Sequence, residues 1–237
     1  MNSSKLQALT GFLSYLFFPP VCPDCGRSIA RGEIFCPACK NKLERPTPGE
    51  VCARCGKNPC ICPELHPAFD RTFPAAYYTG SMTRAVHNLK FNHHPGHAKT
   101  LAPLLALTLR EAGVGRKDFD LLAAAPMSKK RYKQRGYNQA ALLASETAKL
   151  TGIPFDPKAL IKIRETRAQH DLSAEQRRTN LTGSFRAGDA VRGKRILLCD
   201  DVLTTGSTAN EAAQALLSAG AASVDVLVLS VTKAQLI

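Results

Sequence analysis

The sequence predicts an α/β protein, a mostly parallel twisted sheet flanked by helices with a small cysteine-rich unit in front of it. Three observations carry that expectation. Eight of the nine cysteines fall between Cys22 and Cys62. From about His66 onward, short apolar runs alternate with segments of helical periodicity. Residues 195–231 read as strand, helix and strand joined by one crossover, which argues for parallel pairing. A length of 237 residues allows one full domain and a smaller one. With 44% hydrophobic and 22% charged residues, a disordered chain is excluded. The expected boundary puts residues 1–65 in the cysteine-rich unit and 66–237 in the α/β domain.

Taken in order, residues 6–18 are an apolar tract interrupted by Gln7, Thr10 and Ser14. It is shorter than the ~20 apolar residues that cross a bilayer. Leu6, Leu9, Leu13, Leu16 and Phe17 suit one side of an amphipathic helix packing on the next domain. Only Lys5 accompanies the tract, which is weak support for a membrane surface. No small-residue cleavage site follows, so export is not expected. The expected location is the cytoplasm, with peripheral contact at the inner membrane as the most that the tract supports.

The cysteines come in four close pairs: Cys22/Cys25, Cys36/Cys39, Cys52/Cys55 and Cys60/Cys62. The first three are C-x-x-C and the last is C-x-C. A disulfide scaffold needs an oxidising compartment, and a redox C-x-x-C needs a βαβ context that these pairs lack. Two thiolates on one tight turn have the bite of a tetrahedral Zn2+, with Zn–S bonds of about 2.3 Å. Pro23, Gly26, Pro37, Gly56 and Pro59 supply the turns. Two structural zinc ions are expected. Sequential pairing puts Cys22, Cys25, Cys36 and Cys39 on one ion and Cys52, Cys55, Cys60 and Cys62 on the other. Cross-bracing of the first and third knuckles is the alternative. Residues 44–50, with Pro46, Pro48 and Gly49, read as a linker between two ribbons and favour the sequential scheme. The basic residues of the ribbons (Arg27, Arg31, Lys40, Lys42, Arg54, Lys57) are either nucleic-acid contacts or a solvated surface.

In the second domain, residues 73–78 read as a strand closed by the Thr79-Gly80 turn. Residues 82–91 and 101–112 read as helices, and 121–125 as a buried strand stopped by Pro126. A helix over 139–150 ends near Gly152 and Pro154. Strands at 195–199 and 224–231 flank a helix over 208–219, stopped by Gly220.

The formal charge is +13, which favours anionic partners. It is unevenly spread. Residues 126–187 hold thirteen Lys/Arg against five Asp/Glu, whereas 188–237 hold four against five. A polyphosphate or nucleic-acid site accounts for such concentration better than a solvated face does. Just beyond it, the strand 195–199 ends in Asp200-Asp201. A loop with Thr204, Thr205, Gly206, Ser207 and Thr208 then opens a helix. Backbone N–H groups and hydroxyls at a helix start suit a phosphate dianion, at the carboxyl edge where open α/β sheets bind ligands. Neither the Walker A nor the dinucleotide glycine pattern is present. The two carboxylates repel phosphate and suit ribose hydroxyls or hydrated Mg2+.

This tract resembles the phosphoribosyl pyrophosphate (PRPP) motif of the type I phosphoribosyltransferases. The resemblance implies that Thr204–Thr208 hold the 5-phosphate and that Asp200 and Asp201 take the ribose hydroxyls, with Mg2+ accompanying PRPP. Across nearly the whole chain, the sequence is similar to the ComF family of competence proteins, a double zinc ribbon joined to a type I phosphoribosyltransferase-like domain. The matching stretches are residues 19–25, Tyr78-Thr79-Gly80, Leu89-Lys90-Phe91, R-Y-K-Q-R-G-Y-N-Q over 131–139, the series Thr166/Gln169/Leu172/Arg177/Asn180/Phe185, and the phosphate loop. Membership implies natural transformation, with single-stranded DNA and other DNA-uptake proteins as partners. It also implies that the turn after Pro126, with Lys129, Lys130 and Arg131 and assisted by Arg135, receives pyrophosphate. A flexible loop with Arg164, Thr166, Gln169 and Arg177 would close over the ligand. His87, Lys90, His93 and His94 lie in a helix-loop stretch that need not face the site, so no general base is assigned and the acceptor is open. The resulting reading is a phosphoribosyltransferase-family protein that binds PRPP with Mg2+ and single-stranded DNA in natural transformation; the alternatives are a non-catalytic DNA-binding module with a vestigial PRPP site and a phosphoribosyltransferase acting on an unknown small acceptor.

Overall fold

A computed structural model of the chain describes residues 19–91, 94–164 and 183–233. The expected helix over 6–18, His93, and the loop residues Thr166, Gln169 and Arg177 lie outside the described residues.

In chain order the elements are α1 (Pro37–Lys40), α2 (Cys62–Leu65), β1 (Thr72–Pro74), α3 (Gly80–Phe91), α4 (His97–Glu111), β2 (Leu121–Ala124), α5 (Lys129–Arg135), α6 (Gln139–Thr151), β3 (Leu160–Lys162), β4 (Phe185–Ala187), a 3-10 turn at Asp189–Val191, β5 (Arg195–Leu203), α7 (Ser207–Ser218) and β6 (Ser223–Val231). The main sheet is parallel throughout, in the order β1-β6-β5-β2. The antiparallel pair β3-β4 stands apart.

Alternation along β5 divides the interior in two. Leu197 and Cys199 pack with Met82, Leu89, Leu105 and Leu143 from α3, α4 and α6. Ile196 and Leu198 pack with Ala209, Ala213 and Leu216 of α7 and with Leu160 and Phe185 of the β3-β4 pair. Apolar side chains on both faces explain why β5 and β6 read as continuous apolar runs. Local signals set the helix ends. Asn138 Oδ1 accepts from Ala140 N at 3.0 Å to start α6, and Gly152 at φ +72° ends it.

Several expectations need correction. The strand placed at 73–78 keeps a regular ladder only to Pro74, although Ala75 N and Tyr78 N still donate to Val228 O and Val231 O of β6. The strand placed at 195–199 runs on through the acidic pair to Leu203, because β6 offers paired backbone as far as Val231. The basic segment after Pro126 is a helix, α5, capped by Ser128 Oγ accepting from Arg131 N. The β3-β4 pair was not anticipated; its strands are three residues each, too short to show a period.

The stretch 44–50 does link the two cysteine groups, but side chains strap it to the sheet end. Arg45 Nε donates to Ala75 O at 3.0 Å, and its guanidinium makes two bonds to Glu111. Tyr77 OH donates to Glu50 Oε1 at 2.7 Å, and Lys233 Nζ lies 2.6 Å from Glu44 Oε2. The first cysteine group shares its core with α3: Cys22, Phe35 and Cys39 are buried in the same cluster as Met82 and Leu89. Among the described residues no helix is long and apolar enough to cross a membrane.

Candidate metal centres and phosphate-loop site

The same knuckle is built twice. Cys22 N donates to Arg27 O and Gly26 N to Cys22 O; Cys52 N donates to Lys57 O and Gly56 N to Cys52 O. Gly26 and Gly56 take positive φ, +75° and +69°. That backbone region favours glycine, which accounts for the residue after the second cysteine of each knuckle. The Sγ atoms of Cys22, Cys25, Cys36 and Cys39 lie within 4.8 Å of one another, as do those of Cys52, Cys55, Cys60 and Cys62. Cys25–Cys36 is 3.7 Å, and Cys52–Cys62 and Cys55–Cys60 are 3.8 Å each. A tetrahedron with metal–sulfur bonds of about 2.3 Å has an edge of about 3.8 Å, so both groups fit Zn2+. The grouping is sequential. Four thiols per group leave no open coordination position, so both sites are structural.

The acidic pair stands toward the carboxyl end of β5. Strand alternation sends Asp201 to the face that carries Leu197 and Cys199, and Asp200 to the other. Asp201 is 4% exposed, and Lys90 Nζ, from the last turn of α3, lies 2.6 Å from its Oδ2. Burial opposes ionisation of Asp201, but the Lys90 ammonium outweighs it and holds the carboxyl below its ordinary range. Asp200 is half-buried, and its Oδ1 accepts from Asp201 N at 2.8 Å. Burial, and then the neighbouring Asp201 charge, push its pKa up. Asp200 is thus the more open carboxyl of the pair. One or two carboxylates with phosphate oxygens and water form the donor set that Mg2+ takes.

Beyond the pair, Gly206 takes φ +78°, which turns the chain into α7. Thr205 Oγ1 and Ser207 Oγ are 3.0 Å apart, and Asn210 N donates to Gly206 O at 2.8 Å. Thr204 is exposed, and Thr205, Ser207 and Thr208 are half-buried. Hydroxyls and the helix N-terminus are therefore concentrated within five residues, an arrangement that suits a phosphate.

The neighbouring strand β2 delivers the cationic segment. Ala125 N donates to Cys199 O at 2.9 Å, so the chain leaves the sheet beside the acidic pair. It continues into α5, where Lys129, Lys130 and Arg131 are exposed and Arg135 is half-buried. Arg135 Nη1 donates to Gln139 Oε1 at 2.5 Å, and its guanidinium lies 5.0 Å from the Phe91 ring centroid. Tyr137 OH donates to Leu89 O at 2.7 Å, and Asn138 Nδ2 to Ala125 O at 3.0 Å. The 131–139 segment is therefore tied both to the end of α3 and to the end of β2. Arg164 is exposed at the far end of β3, where its N–H reaches Ser184 O. Gly183 N donates to Glu211 Oε1 of α7 at 2.5 Å, which puts the start of β4 beside the helix that opens from the Thr204–Thr208 loop.

Two lysines change roles. Lys90 had no assigned place, yet it meets the acidic pair. The available signal was its position four residues after Val86 and eight after Met82, both buried, on the inward stripe of α3. Lys57 stood among the candidate nucleic-acid contacts, but it is 3% exposed and bonded within the protein. Arg54, exposed, donates to Pro67 O and Phe69 O.

The family model of a phosphoribosyl transferase domain matches residues 135–235, and that of a double zinc ribbon domain matches residues 13–70. The chain is 34% identical over 208 residues to the DNA utilization protein YhgH of Salmonella typhimurium, covering 87% of this chain and 88% of that one. It is 28% identical over 211 residues to Competence protein F of Haemophilus influenzae, with 87% and 88% covered. With Competence protein ComFC of Streptococcus pneumoniae it shares 28% over 203 residues, with 85% and 83% covered.

Proposed function

We propose, from the premise that this chain belongs to the ComF family of a double zinc ribbon joined to a phosphoribosyltransferase domain, that it works in DNA uptake as a protein that binds PRPP with Mg2+ and single-stranded DNA. The single observation that carries the ligand reading is the end of β5: an acidic pair split between an ion-paired Asp201 and a more open Asp200, followed at once by the hydroxyl-rich loop at the start of α7. In this reading, the N–H groups and hydroxyls of Thr204, Thr205, Gly206, Ser207 and Thr208 bind the 5-phosphate. Asp200 accepts from a ribose hydroxyl and takes Mg2+ through water. Asp201 keeps its charge on Lys90 and orients the strand end. Arg164, Thr166, Gln169 and Arg177 belong to the segment that closes over the ligand.

The names of the relatives, competence and DNA utilization proteins, support a role in handling DNA. The exposed Lys129, Lys130 and Arg131 supply the charge to neutralise DNA phosphates. Other DNA-uptake proteins are expected partners. Eight thiols in two closed groups suit a reducing compartment, so we place the protein in the cytoplasm. In this reading the boundary between the ribbon unit and the transferase domain lies at 65/66.

Phosphoribosyl transfer is the second reading, favoured by the cations of α5 beside the acidic pair. Transfer would break the bond from ribose C1 to pyrophosphate and form one from C1 to the acceptor. Lys129, Lys130, Arg131 and Arg135 would neutralise the departing pyrophosphate. Calorimetric titration with PRPP and Mg2+, and separately with a single-stranded oligonucleotide, tests both bindings. Release of pyrophosphate in the presence of acceptors tests turnover. Absence of PRPP binding removes the ligand reading, and binding of PRPP without pyrophosphate release removes the transfer reading.

A further inference from the structure

The second cysteine group is built against the back of the phosphate loop. Lys57, two residues after Cys55, is buried. Its Nζ donates to Leu203 O at 3.0 Å, to Thr232 O at 2.8 Å and to Thr232 Oγ1 at 2.6 Å. An ammonium has three donors, and all three are used. Leu203 is the last residue of β5, and Thr204 follows it. Thr232 returns the contact: its N–H donates to Leu203 O, and its hydroxyl lies 3.5 Å from Thr204 O. A buried ammonium is costly unless so satisfied, and here its partners are the two backbone segments that frame the entrance to the loop.

A second contact comes from the other side of the same metal group. Helix α2 begins at Cys62 and ends at Leu65. The Leu65 side chain lies against Gly206, where an added Cβ would come within 2.7 Å of Leu65 Cδ2. Immediately downstream, Ala68 N donates to Asn210 Oδ1 at 2.6 Å. Lys57 and Leu65 each stand within three residues of a cysteine of one metal group, and both press on residues 203–206. Among the described residues, the hydrogen bonds of the first metal group lead elsewhere. It is held to α3 through Asp24 with Arg84, Pro23 O with Asn88, and Cys39 O with Ser81.

We propose that Lys57 and Leu65 are positioning residues for the phosphate loop, so that metal in the Cys52/Cys55/Cys60/Cys62 group and a phosphoribosyl ligand at Thr204–Thr208 stabilise one another. This rests on the reading of that loop as the 5-phosphate site. The metal fixes the knuckle that carries Lys57 and the helix that carries Leu65. Those two side chains fix the loop in the shape that the ligand binds. Coupling between two sites is reciprocal, so the ligand retains the metal of this group and leaves the first group unaffected.

The test uses the full zinc-loaded chain, with Lys57→Met, Leu65→Ala and, as a control on the first ribbon, Arg84→Gln. Amide hydrogen exchange of residues 203–208 is compared with that of the β6 core, and PRPP–Mg2+ affinity and zinc content are measured on the same samples. Lys57→Met is expected to speed loop exchange about tenfold or more with little change in β6. It is also expected to weaken PRPP about tenfold while two zinc ions remain, the scale of a lost charged hydrogen bond. Arg84→Gln is expected to leave the loop exchange as in wild type. PRPP is expected to slow chelator removal of one zinc ion of the two. If Lys57→Met fails to fold, Leu65→Ala carries the same comparison. Wild-type loop exchange in the variants overturns the proposal, as does equal loosening by Arg84→Gln. If the wild-type protein binds no PRPP, the ligand reading and the reciprocal effect fall, while the exchange comparison still decides whether the ribbon holds the loop.

Discussion

Lys90 Nζ lies 2.6 Å from Asp201 Oδ2, joining the last turn of α3 to the carboxyl end of β5. The carboxylate side is almost fully buried, and the ammonium side is about a quarter exposed. Removing one partner of a buried pair leaves an uncompensated charge and costs about 3–5 kcal/mol. Lys90→Met is therefore expected to lower unfolding stability by about 3 kcal/mol, the low end of that range, since the lysine is partly solvated. Lys90→Met with Asp201→Leu is expected to regain part of the loss. Denaturant midpoints check both, and a Lys90→Met protein as stable as wild type contradicts the assignment.

Asp200 behaves differently because its charge is the less supported of the two. Asp200→Asn is expected to fold with unchanged or slightly higher stability. PRPP–Mg2+ affinity is expected to fall by about 10- to 100-fold, the scale of a charge-assisted hydrogen bond at about 1.5–3 kcal/mol. Calorimetry with and without Mg2+ measures the change. An unaltered affinity would place the ribose elsewhere.

Zinc analysis is expected to find two ions per chain, bound by the two groups of four cysteines. Cys55 is fully buried, so Cys55→Ser is expected to lose one ion selectively and to lower the melting temperature by roughly 10 °C, as several kcal/mol of metal-linked folding energy is removed. Metal content and thermal denaturation of the same sample test this. One ion in the wild-type protein would contradict the double site.

Single-stranded DNA binding is expected to weaken steeply with salt as phosphates release counterions. Replacing Lys129, Lys130 and Arg131 together by Ala is expected to reduce the slope of log K against log salt by about 2, at roughly 0.7 per lost phosphate contact. Fluorescence anisotropy across a salt series measures the slope. An identical slope in the triple variant moves the DNA surface off α5.

His97 supplies a pH dependence. Its ring is buried, and its Nδ1 has no hydrogen-bond partner among the described residues. Burial first, and the neighbouring His94 second, hold its pKa down at about 4. Unfolded, the ring titrates near 6.5. Between those values the unfolded chain binds the extra proton, so stability falls as pH drops from about 6.5 toward 4, at up to about 1.4 kcal/mol per pH unit. His97→Gln is expected to flatten this part of the stability curve. An equally steep curve in the variant assigns the dependence to other groups.

What the sequence by itself determined is local. C-x-x-C turns are short-range objects, and their spacing announced two four-thiol groups and the glycine that closes each knuckle. The run from Ile196 to Thr208 carries strand, acidic pair, hydroxyl-rich loop and helix start within thirteen residues, so these elements were legible together. The tertiary structure decided what depends on distant chain. Lys57 meets Leu203 across 146 residues, and no periodicity records such a contact. A buried lysine and a solvated one are the same letter, and only packing reveals which carbonyls surround it. The same holds for Lys90, which needed β5 laid against α3 before its charge had a partner. The linker at 44–50 has the composition of a loop, but Arg45 and Glu50 bind it to Glu111 and Tyr77. The two carboxylates of Asp200 and Asp201 are chemically alike in sequence. Their difference arises because strand pleat turns them to opposite faces, and among the described residues the Lys90 ammonium pairs with Asp201.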